Sequence, residues 1–409
     1  MSAILNQFNI ALMRKIALLS LFTMIFLVSA LAQGKITSEK PLPIIAWAGI
    51  PAGEMNIERF RELKEMGINV NLSSYPNAEA MQQALDLAQQ VGIRMVTSCP
   101  ELKTETEKTV RRFMNHPALA GYFLQDEPVR KDFADLGDWA KRIETVDSKH
   151  FCFVNLIASI HTTKTEALGT ATYAEYVGTF AREVPSQLLS FDFYPVLVDG
   201  VHERWYEGLE IFSAEARKLD KPFWAFALAC SYNELHPIPT IPALRLQLYS
   251  NLAYGAQGLE YWPYWMQDLC SSPIALDGKR TMVYDRIKEV NKEIQDLAGV
   301  FAGSKVVSVS HTGVVIPRGT SRLTTLPQAI KIFETEGTGA LVSILENGAN
   351  TYFVVVNRDL NKSMPIIIFG DESLKRVLKD GSVVKASIYA NTTEIEPGDM
   401  AIYLFPTKK

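Results

Sequence analysis

Apolar and polar positions follow two different rhythms along the chain, and the change falls near residue 303. Before it, short apolar runs typical of buried strands alternate with segments whose apolar residues recur every three or four positions, as on one helix face. The predicted strands cover residues 44–49, 68–72, 93–99, 119–125, 151–157, 188–194, 223–229 and 258–262. Strands separated by helices form parallel sheets with right-handed crossovers. Eight such units over about 260 residues therefore predict a closed (β/α)₈ barrel of the TIM type.

The chain after residue 303 lacks helical periodicity. Short strand-like runs, separated by Gly, Asn and Asp turns, lie at 306–309, 340–345, 351–357, 366–369, 387–389 and 401–405. Such spacing is typical of an all-β sandwich. We therefore predict an α/β protein with the barrel in residues 33–303 and a small all-β sandwich domain in residues 304–409.

The N-terminal residues have the layout of a secretory signal. Arg14 and Lys15 precede an apolar run at 16–28, and the small-residue pattern that follows ends at Ala32. The alternative is a membrane anchor, but the run is shorter than the roughly 20 residues that a spanning helix needs. We predict a signal peptide at 1–32, cleaved after Ala32. The protein is then secreted or periplasmic, without stable membrane insertion.

Charge and motif content exclude several classes of function. The net charge is −4, from 41 basic and 45 acidic residues, which gives no electrostatic footprint for nucleic acid. The six histidines show no paired ligand spacing, and no phosphate-binding or serine-hydrolase motif is present. We expect no catalytic metal and no cofactor. Cys230 and Cys270 fall in neighbouring predicted loops. They could form a disulfide or remain two buried free thiols, and the sequence leaves both alternatives open.

The active site of a (β/α)₈ barrel forms at the carboxyl ends of its strands. Aromatic residues and carboxylates converge there, together with one loop histidine after the seventh strand. Aromatic rings cover the apolar faces of sugar rings, and carboxylates bind hydroxyls or act as acid and base, so a carbohydrate partner is predicted. The candidates are Trp47, Asn71, Asp126, Glu127, Asp192, Tyr194, His236, Glu260, Trp262, Tyr264 and Trp265.

Glu127 is the strongest catalytic candidate, because it ends the fourth strand directly before Pro128. A carboxylic acid there can protonate a glycosidic oxygen if burial or a like charge raises its pKa. Asp126 supplies such a charge, or binds a substrate hydroxyl. The alternative is that these acidic residues only cap the next helix.

Three motifs carry a resemblance to a known family. The segment 121–128, Gly-Tyr-Phe-Leu-Gln-Asp-Glu-Pro, resembles the fourth-strand signature of the retaining glycoside hydrolases of clan A. The segments 191–195 and 254–262 resemble the sixth and eighth strands of β-galactosidase-like members. The resemblance implies that Glu127 is the general acid/base, that Asp126 contacts the sugar 2-hydroxyl, and that Trp262 forms an aromatic floor.

One departure from that family leaves the mechanism open. The family's nucleophile is a glutamate at the end of the seventh strand, whereas 223–231 contains no carboxylate and Glu234 lies beyond it. Glu260 on the eighth strand is then a base, a sugar-binding group or a structural residue. A substrate-assisted hexosaminidase is another reading, with Asp126 orienting an acetamido group that Tyr194 helps to hold. A non-catalytic carbohydrate-binding barrel and a barrel that serves as an interaction module are the remaining alternatives.

Overall fold

The computed structural model describes residues 34–159, 168–265, 271–389 and 393–407. The predicted signal segment and Cys270 lie outside these ranges, whereas Cys99, Cys152 and Cys230 are buried thiols. Among the helices of the described ranges, none has the length and apolar character needed to cross a membrane.

Eight parallel strands close into a barrel, which confirms the (β/α)₈ prediction. Closure comes from β10 pairing with β1, where Leu259 lies opposite Ile44. A short hairpin, β7 and β8, follows the sixth barrel strand and lies outside the ring. The strands of this half are β1 Ile44–Ala46, β2 Val70–Ser74, β3 Arg94–Ser98, β4 Leu119–Asp126, β5 Phe151–Leu156, β6 Leu189–Phe191, β7 Val196–Leu197, β8 Gly200–Val201, β9 Phe223–Leu228 and β10 Gly258–Trp262.

Helices surround the ring, and their ends follow local capping chemistry. In the second helix, Ala78–Val91, the Asn77 side chain accepts from the Ala80 N–H at the start, and Gly92 ends the helix at a φ of 71°. The helices are α1 Ile57–Glu65, α2 Ala78–Val91, α3 Pro100–Thr104, α4 Thr106–Phe113, α5 Phe133–Val146, α6 Tyr173–Glu183, α7 Trp205–Lys218, α8 Ile241–Ala253, α9 Met282–Asp296 and α10 Ala298–Phe301.

The barrel interior is packed with apolar side chains rather than open. Alternate strand residues point inward, because side chains along a strand change face at every position. The inner cluster consists of Ile45, Trp47, Val70, Leu72, Val96, Ala120, Phe153, Leu188, Trp224 and Phe226. A site can therefore form only above this cluster, at the carboxyl ends of the strands.

The C-terminal part is a β-sandwich, as predicted. One sheet has six strands in the order β11-β13-β14-β19-β16-β17, and the other has three, β12-β15-β18. The predicted strand at 387–389 is wrong, because the 3-10 helix Ala386–Tyr389 occupies it; so short an apolar run does not distinguish a strand from a turn. The strands are β11 Lys305–His311, β12 Ile330–Glu334, β13 Ala340–Asn347, β14 Asn350–Asn357, β15 Met364–Gly370, β16 Lys375–Val377, β17 Val383–Lys385, β18 Thr393–Ile395 and β19 Met400–Pro406.

The larger sheet of the sandwich packs directly on the barrel helices. Tyr352, Val354 and Ile402 belong to the same apolar cluster as the helices around the barrel. At this contact the buried Arg245 of α8 pairs with Glu293 of α9, and its guanidinium also lies 3.8 Å from Asp399 Oδ2 of the sandwich. The face of the larger sheet that meets the barrel therefore belongs to the core of the barrel helices, whereas the space between the two sheets holds a separate apolar cluster.

Candidate active site

Glu127 projects from the carboxyl end of β4 on a strained backbone. Its φ is +44°, in the left-handed region that costs a non-glycine residue roughly 1–2 kcal/mol. Its N–H donates to the Asn155 carbonyl at 2.9 Å, which fixes this conformation, and its side chain is exposed. Such strain persists where the surrounding structure holds it, often at functional sites.

The carboxyls of Glu127 and Asp126 both have perturbed acidities. Partial burial raises the pKa of Glu127, and the neighbouring charge of Asp126 raises it further. Burial also raises the pKa of Asp126, against the lowering effect of the hydrogen bond from Asn155. A carboxyl whose pKa is raised above its ordinary value is better suited to acid/base catalysis than a free carboxyl.

Asp126 is tied to the barrel interior by a chain of polar contacts. Asn155 of β5 donates from Nδ2 to Asp126 Oδ1 at 3.1 Å. The Ser190 hydroxyl of β6 lies 3.1 Å from Asn155 Oδ1 and 2.7 Å from Glu260 Oε1 of β10. Four barrel strands contribute to this chain, so the orientation of Asp126 depends on the closed ring.

Glu260 lies inside the barrel rather than in its mouth. It is 0% exposed, and burial raises its pKa well above the ordinary value. One serine hydroxyl carries one proton, so Ser190 cannot donate to Asn155 and Glu260 together. The Ser190 hydroxyl donates to Glu260 Oε1, and this hydrogen bond offsets part of the effect of burial on the pKa of Glu260. Glu260 is therefore a buried residue of the barrel interior, and its predicted role as a catalytic group gains no support from its position.

Asp192 is the second carboxyl at the mouth and directly follows β6. Leu188 and Ser190 face the barrel interior, so the alternation places Asp192 on the same side. The side chain is half-buried, and its Oδ1 atom is buried with no hydrogen-bond partner among the described residues. Burial, followed by the charges of Glu127 and Asp126, raises the pKa of Asp192 to about 8. Asp192 therefore holds a proton at neutral pH.

An aromatic platform borders these carboxyls. Tyr194 and Trp262 stack with ring centroids 5.4 Å apart and an interplanar angle of 22°. Tyr232, which is 44% exposed, meets Trp262 edge-on at 5.2 Å. His236 Nε2 lies 3.3 Å from the Tyr194 carbonyl oxygen, and partial burial lowers its pKa. The platform offers ring faces and a neutral imidazole to a ligand.

Trp47 forms part of the floor beneath the platform. It is 8% exposed and contacts three inward-facing rings: Phe123 at 5.1 Å, Phe226 at 5.2 Å and Phe153 at 5.7 Å. Most of its surface is therefore used in packing. Little of its surface remains for contact with a ligand.

Three predicted ligand-binding residues lie away from the open mouth. Asn71 is 0% exposed and accepts the Ile50 N–H at 3.1 Å, which anchors the loop after β1. Tyr264 is also fully buried, and Trp265 packs under the Arg59 guanidinium at 4.6 Å. Each of the three packs in the interior, which its strand-end position in the sequence did not reveal, and none takes part in the proposed site.

Sequence reasoning missed Asn155, Ser190 and Tyr232. The first two are polar residues within otherwise apolar strands, at positions that face inward. A polar residue at an inward-facing position of an apolar strand was the signal in the sequence that could have identified both as site residues. Tyr232 carried no comparable signal, because its contact with Trp262 depends on how the loop after β9 folds.

The end of β9 contains no carboxylate. Ala229 and Cys230 are fully buried there, and Glu234 is exposed on the following loop. Within the described residues, no three His, Cys, Asp or Glu side chains converge so that they could hold a metal ion. The chemistry available at the mouth is thus that of Asp126, Glu127 and Asp192 beside aromatic rings.

Solved structures similar to this chain include three enzymes. A β-galactosidase from the Antarctic haloarchaeon Halorubrum lacusprofundi has 13% identity and a TM-score of 0.45, over 62% of this chain and 58% of its own. A family 39 glycoside hydrolase from the gut symbiont Bacteroides cellulosilyticus WH2 has 11% identity and a TM-score of 0.49, over 90% and 81%. A β-1,4-D-mannanase from Cryptopygus antarcticus has 11% identity and a TM-score of 0.43, over 62% and 91%.

No family model matches the sequence, and no curated protein matches it. At identities of 13% or less, the likeness to solved structures concerns the fold.

Proposed function

We propose that this chain is an exported glycoside hydrolase that cleaves glycosidic bonds of an oligo- or polysaccharide, with Glu127 as the central acid/base residue. The observation that carries the proposal is the placement of Glu127. Its exposed carboxyl stands at a strand end of a closed barrel, next to Asp126 and Asp192 and beside the Tyr194–Trp262 platform. Glycoside hydrolases use a pair of carboxyl groups that flank the scissile bond of a bound sugar.

Export is the part of this proposal that rests on sequence alone. The basic residues, the apolar run and the small-residue pattern ending at Ala32 support cleavage there. Expression of the full chain in a bacterial host, followed by fractionation and mass determination, tests it. A mature form that begins at Gln33 in the periplasm or medium is expected, and an uncleaved cytoplasmic chain would exclude it.

Hydrolysis is tested with the mature protein and a panel of 4-nitrophenyl glycosides of common hexoses, pentoses and N-acetylhexosamines. Glu127→Gln should reduce turnover on any accepted substrate by about 10²-fold or more, since general acid/base groups contribute that much. The matched control is Glu144→Gln, an exposed glutamate on α5, which should leave turnover unchanged. Equal turnover of Glu127→Gln and the unsubstituted protein would remove Glu127 from the mechanism.

A carbohydrate-binding barrel without turnover is the second candidate. The observation in its favour is the lack of a carboxylate at the end of β9, where clan A members carry their nucleophile. Sugar affinity measured by calorimetry, with no release from any glycoside of the panel, would favour this candidate. Turnover confined to N-acetylhexosaminides would instead favour the substrate-assisted reading, with Asp126 and Tyr194 holding the acetamido group.

A further inference from the structure

The closed barrel brings a second carboxyl to Glu127 from a strand other than β9. Asp192 and Glu127 lie at the ends of β6 and β4. They are close enough that the charge of Glu127 raises the pKa of Asp192, and that both charges raise the pKa of Tyr194. Asn155 of the intervening β5 bonds to Asp126, and it also favours the charged form of Asp192 by hydrogen bonding. Asn155 thus contacts the carboxyls of Asp126 and Asp192 through its side-chain amide and the backbone N–H of Glu127 through its carbonyl.

Burial raises the pKa of both catalytic candidates, but the two side chains differ in how far they are enclosed. Asp192 is half-buried, with Oδ1 enclosed and unpartnered among the described residues, whereas the Glu127 side chain is exposed. An enclosed oxygen without a donor is costly for a carboxylate and far less costly for a neutral acid. Where two carboxyls share a site, the more enclosed one keeps the proton and the more solvated one ionises.

We propose that Asp192 is the second catalytic carboxyl and the proton donor to the leaving oxygen, with Glu127 as the base that activates water. The inference rests on the proposed glycoside hydrolase function and assigns the roles within it. It replaces the missing β9 nucleophile with a water molecule, and it reverses the part that the clan A resemblance implies for Glu127.

Hydrolysis takes place in one step, as a single displacement by water at the anomeric carbon. The Asp192 hydroxyl gives its proton to the glycosidic oxygen while the bond from that oxygen to the anomeric carbon breaks. The Glu127 carboxylate takes a proton from a water whose oxygen bonds to the same carbon from the opposite side. The products are a sugar of inverted anomeric configuration and an alcohol. Proton exchange with solvent then moves one proton from Glu127 back to Asp192.

The pKa of Asp192, raised to about 8, agrees with this assignment. The titratable groups that face Asp192 are Asp126 and Glu127 at the end of β4, Tyr173 and Tyr176 from α6, Tyr194, and Glu260 from β10. Apart from burial, the groups with the largest effects on the pKa of Asp192 are the carboxyls of Glu127 and Asp126 and the amide of Asn155, and none of these is a cation. The proton therefore stays with Asp192 near neutral pH.

A leaving-group test separates the two roles. Glycosyl fluorides need no protonation of the leaving group, whereas phenyl and alkyl glycosides do. Asp192→Asn should lose about 10²-fold or more on phenyl glycosides and stay within a few-fold of the unsubstituted protein on the matching fluoride. Glu127→Gln should lose about 10²-fold or more on both, and sodium azide, which attacks without a base, should restore its turnover of the fluoride.

The outcomes are distinguishable. The reverse pattern, with Glu127→Gln spared on the fluoride and Asp192→Asn inactive on it, would overturn the assignment and restore Glu127 as the donor. Full activity of Asp192→Asn on both substrates would overturn it while leaving the hydrolase proposal intact. No turnover by the unsubstituted protein would overturn both the hydrolase proposal and the assignment of roles. Circular dichroism and melting curves check that each variant is folded.

Discussion

Substituting Asp192 by asparagine should stabilise this protein at neutral pH. The folded state holds a proton on Asp192 with a pKa of about 8, whereas the unfolded chain releases it near the ordinary value of 3.8. Folding at pH 7 must therefore take up a proton, which opposes folding. Asparagine has nearly the same shape and carries no titrating proton, so Asp192→Asn removes that opposition.

The magnitude follows from the pH interval. The free-energy penalty of taking up this proton accumulates from pH 3.8 to pH 7, an interval of about three pH units. Each unit adds about 1.4 kcal/mol. The upper limit is thus on the order of 4 kcal/mol. Because the side chain is only half-buried, solvent screening reduces the penalty, and we expect a gain of about 2 kcal/mol for Asp192→Asn at pH 7.

The sign of the pH dependence is specific. A carboxyl whose folded pKa is raised contributes no penalty below 3.8, a growing penalty from there to about 8, and a constant penalty above. Urea unfolding of both proteins from pH 3.5 to 8.5 measures the difference directly. The free energy of unfolding of Asp192→Asn should exceed that of the unsubstituted protein by an amount that grows with pH.

The matched control is Asp138→Asn, an exposed aspartate on α5 near Lys141. It should change the free energy of unfolding by less than about 0.5 kcal/mol at every pH, as exposed substitutions do. A difference between Asp192→Asn and the unsubstituted protein that is flat across this range would refute the argument. So would a loss of stability at pH 7.

Three further predictions concern the strain at the site, the platform and the domain contact. Glu127→Gly should raise the free energy of unfolding by about 1 kcal/mol in urea titrations while abolishing turnover, since glycine adopts the left-handed conformation without cost; a loss of stability would argue against strain. Trp262→Ala should raise KM about tenfold with a smaller change in kcat, because it removes a ring face rather than a reacting group, and a change in kcat alone would contradict this role. Arg245→Met should destabilise by about 2–3 kcal/mol in urea titrations, because it leaves Lys379 as the remaining cationic partner of the buried carboxylates Glu293 and Asp399; a neutral result would mean that Lys379 alone compensates both charges.

The architecture was largely predictable because it follows from local periodicity. The strand Gly258–Trp262 matches its predicted range, and the helix Ala78–Val91 carries an Asn cap and a terminal glycine; apolar spacing and such caps are local signals. The short edge elements were less predictable. The hairpin β7–β8 and the 3-10 helix Ala386–Tyr389 consist of runs too brief to carry a period.

The sequence by itself determined the barrel, the sandwich, and the position of Glu127 at a strand end next to Asp126. Only the tertiary structure decided which neighbouring side chains face the mouth. Asn71 and Tyr264 turn into packed interiors, and Glu260 faces inward but below the open surface. The physical reason is that burial and electrostatic fields are sums over groups distant in sequence. The acidity of Asp192 arises from enclosure and from charges on another strand, and no local pattern along the chain records either.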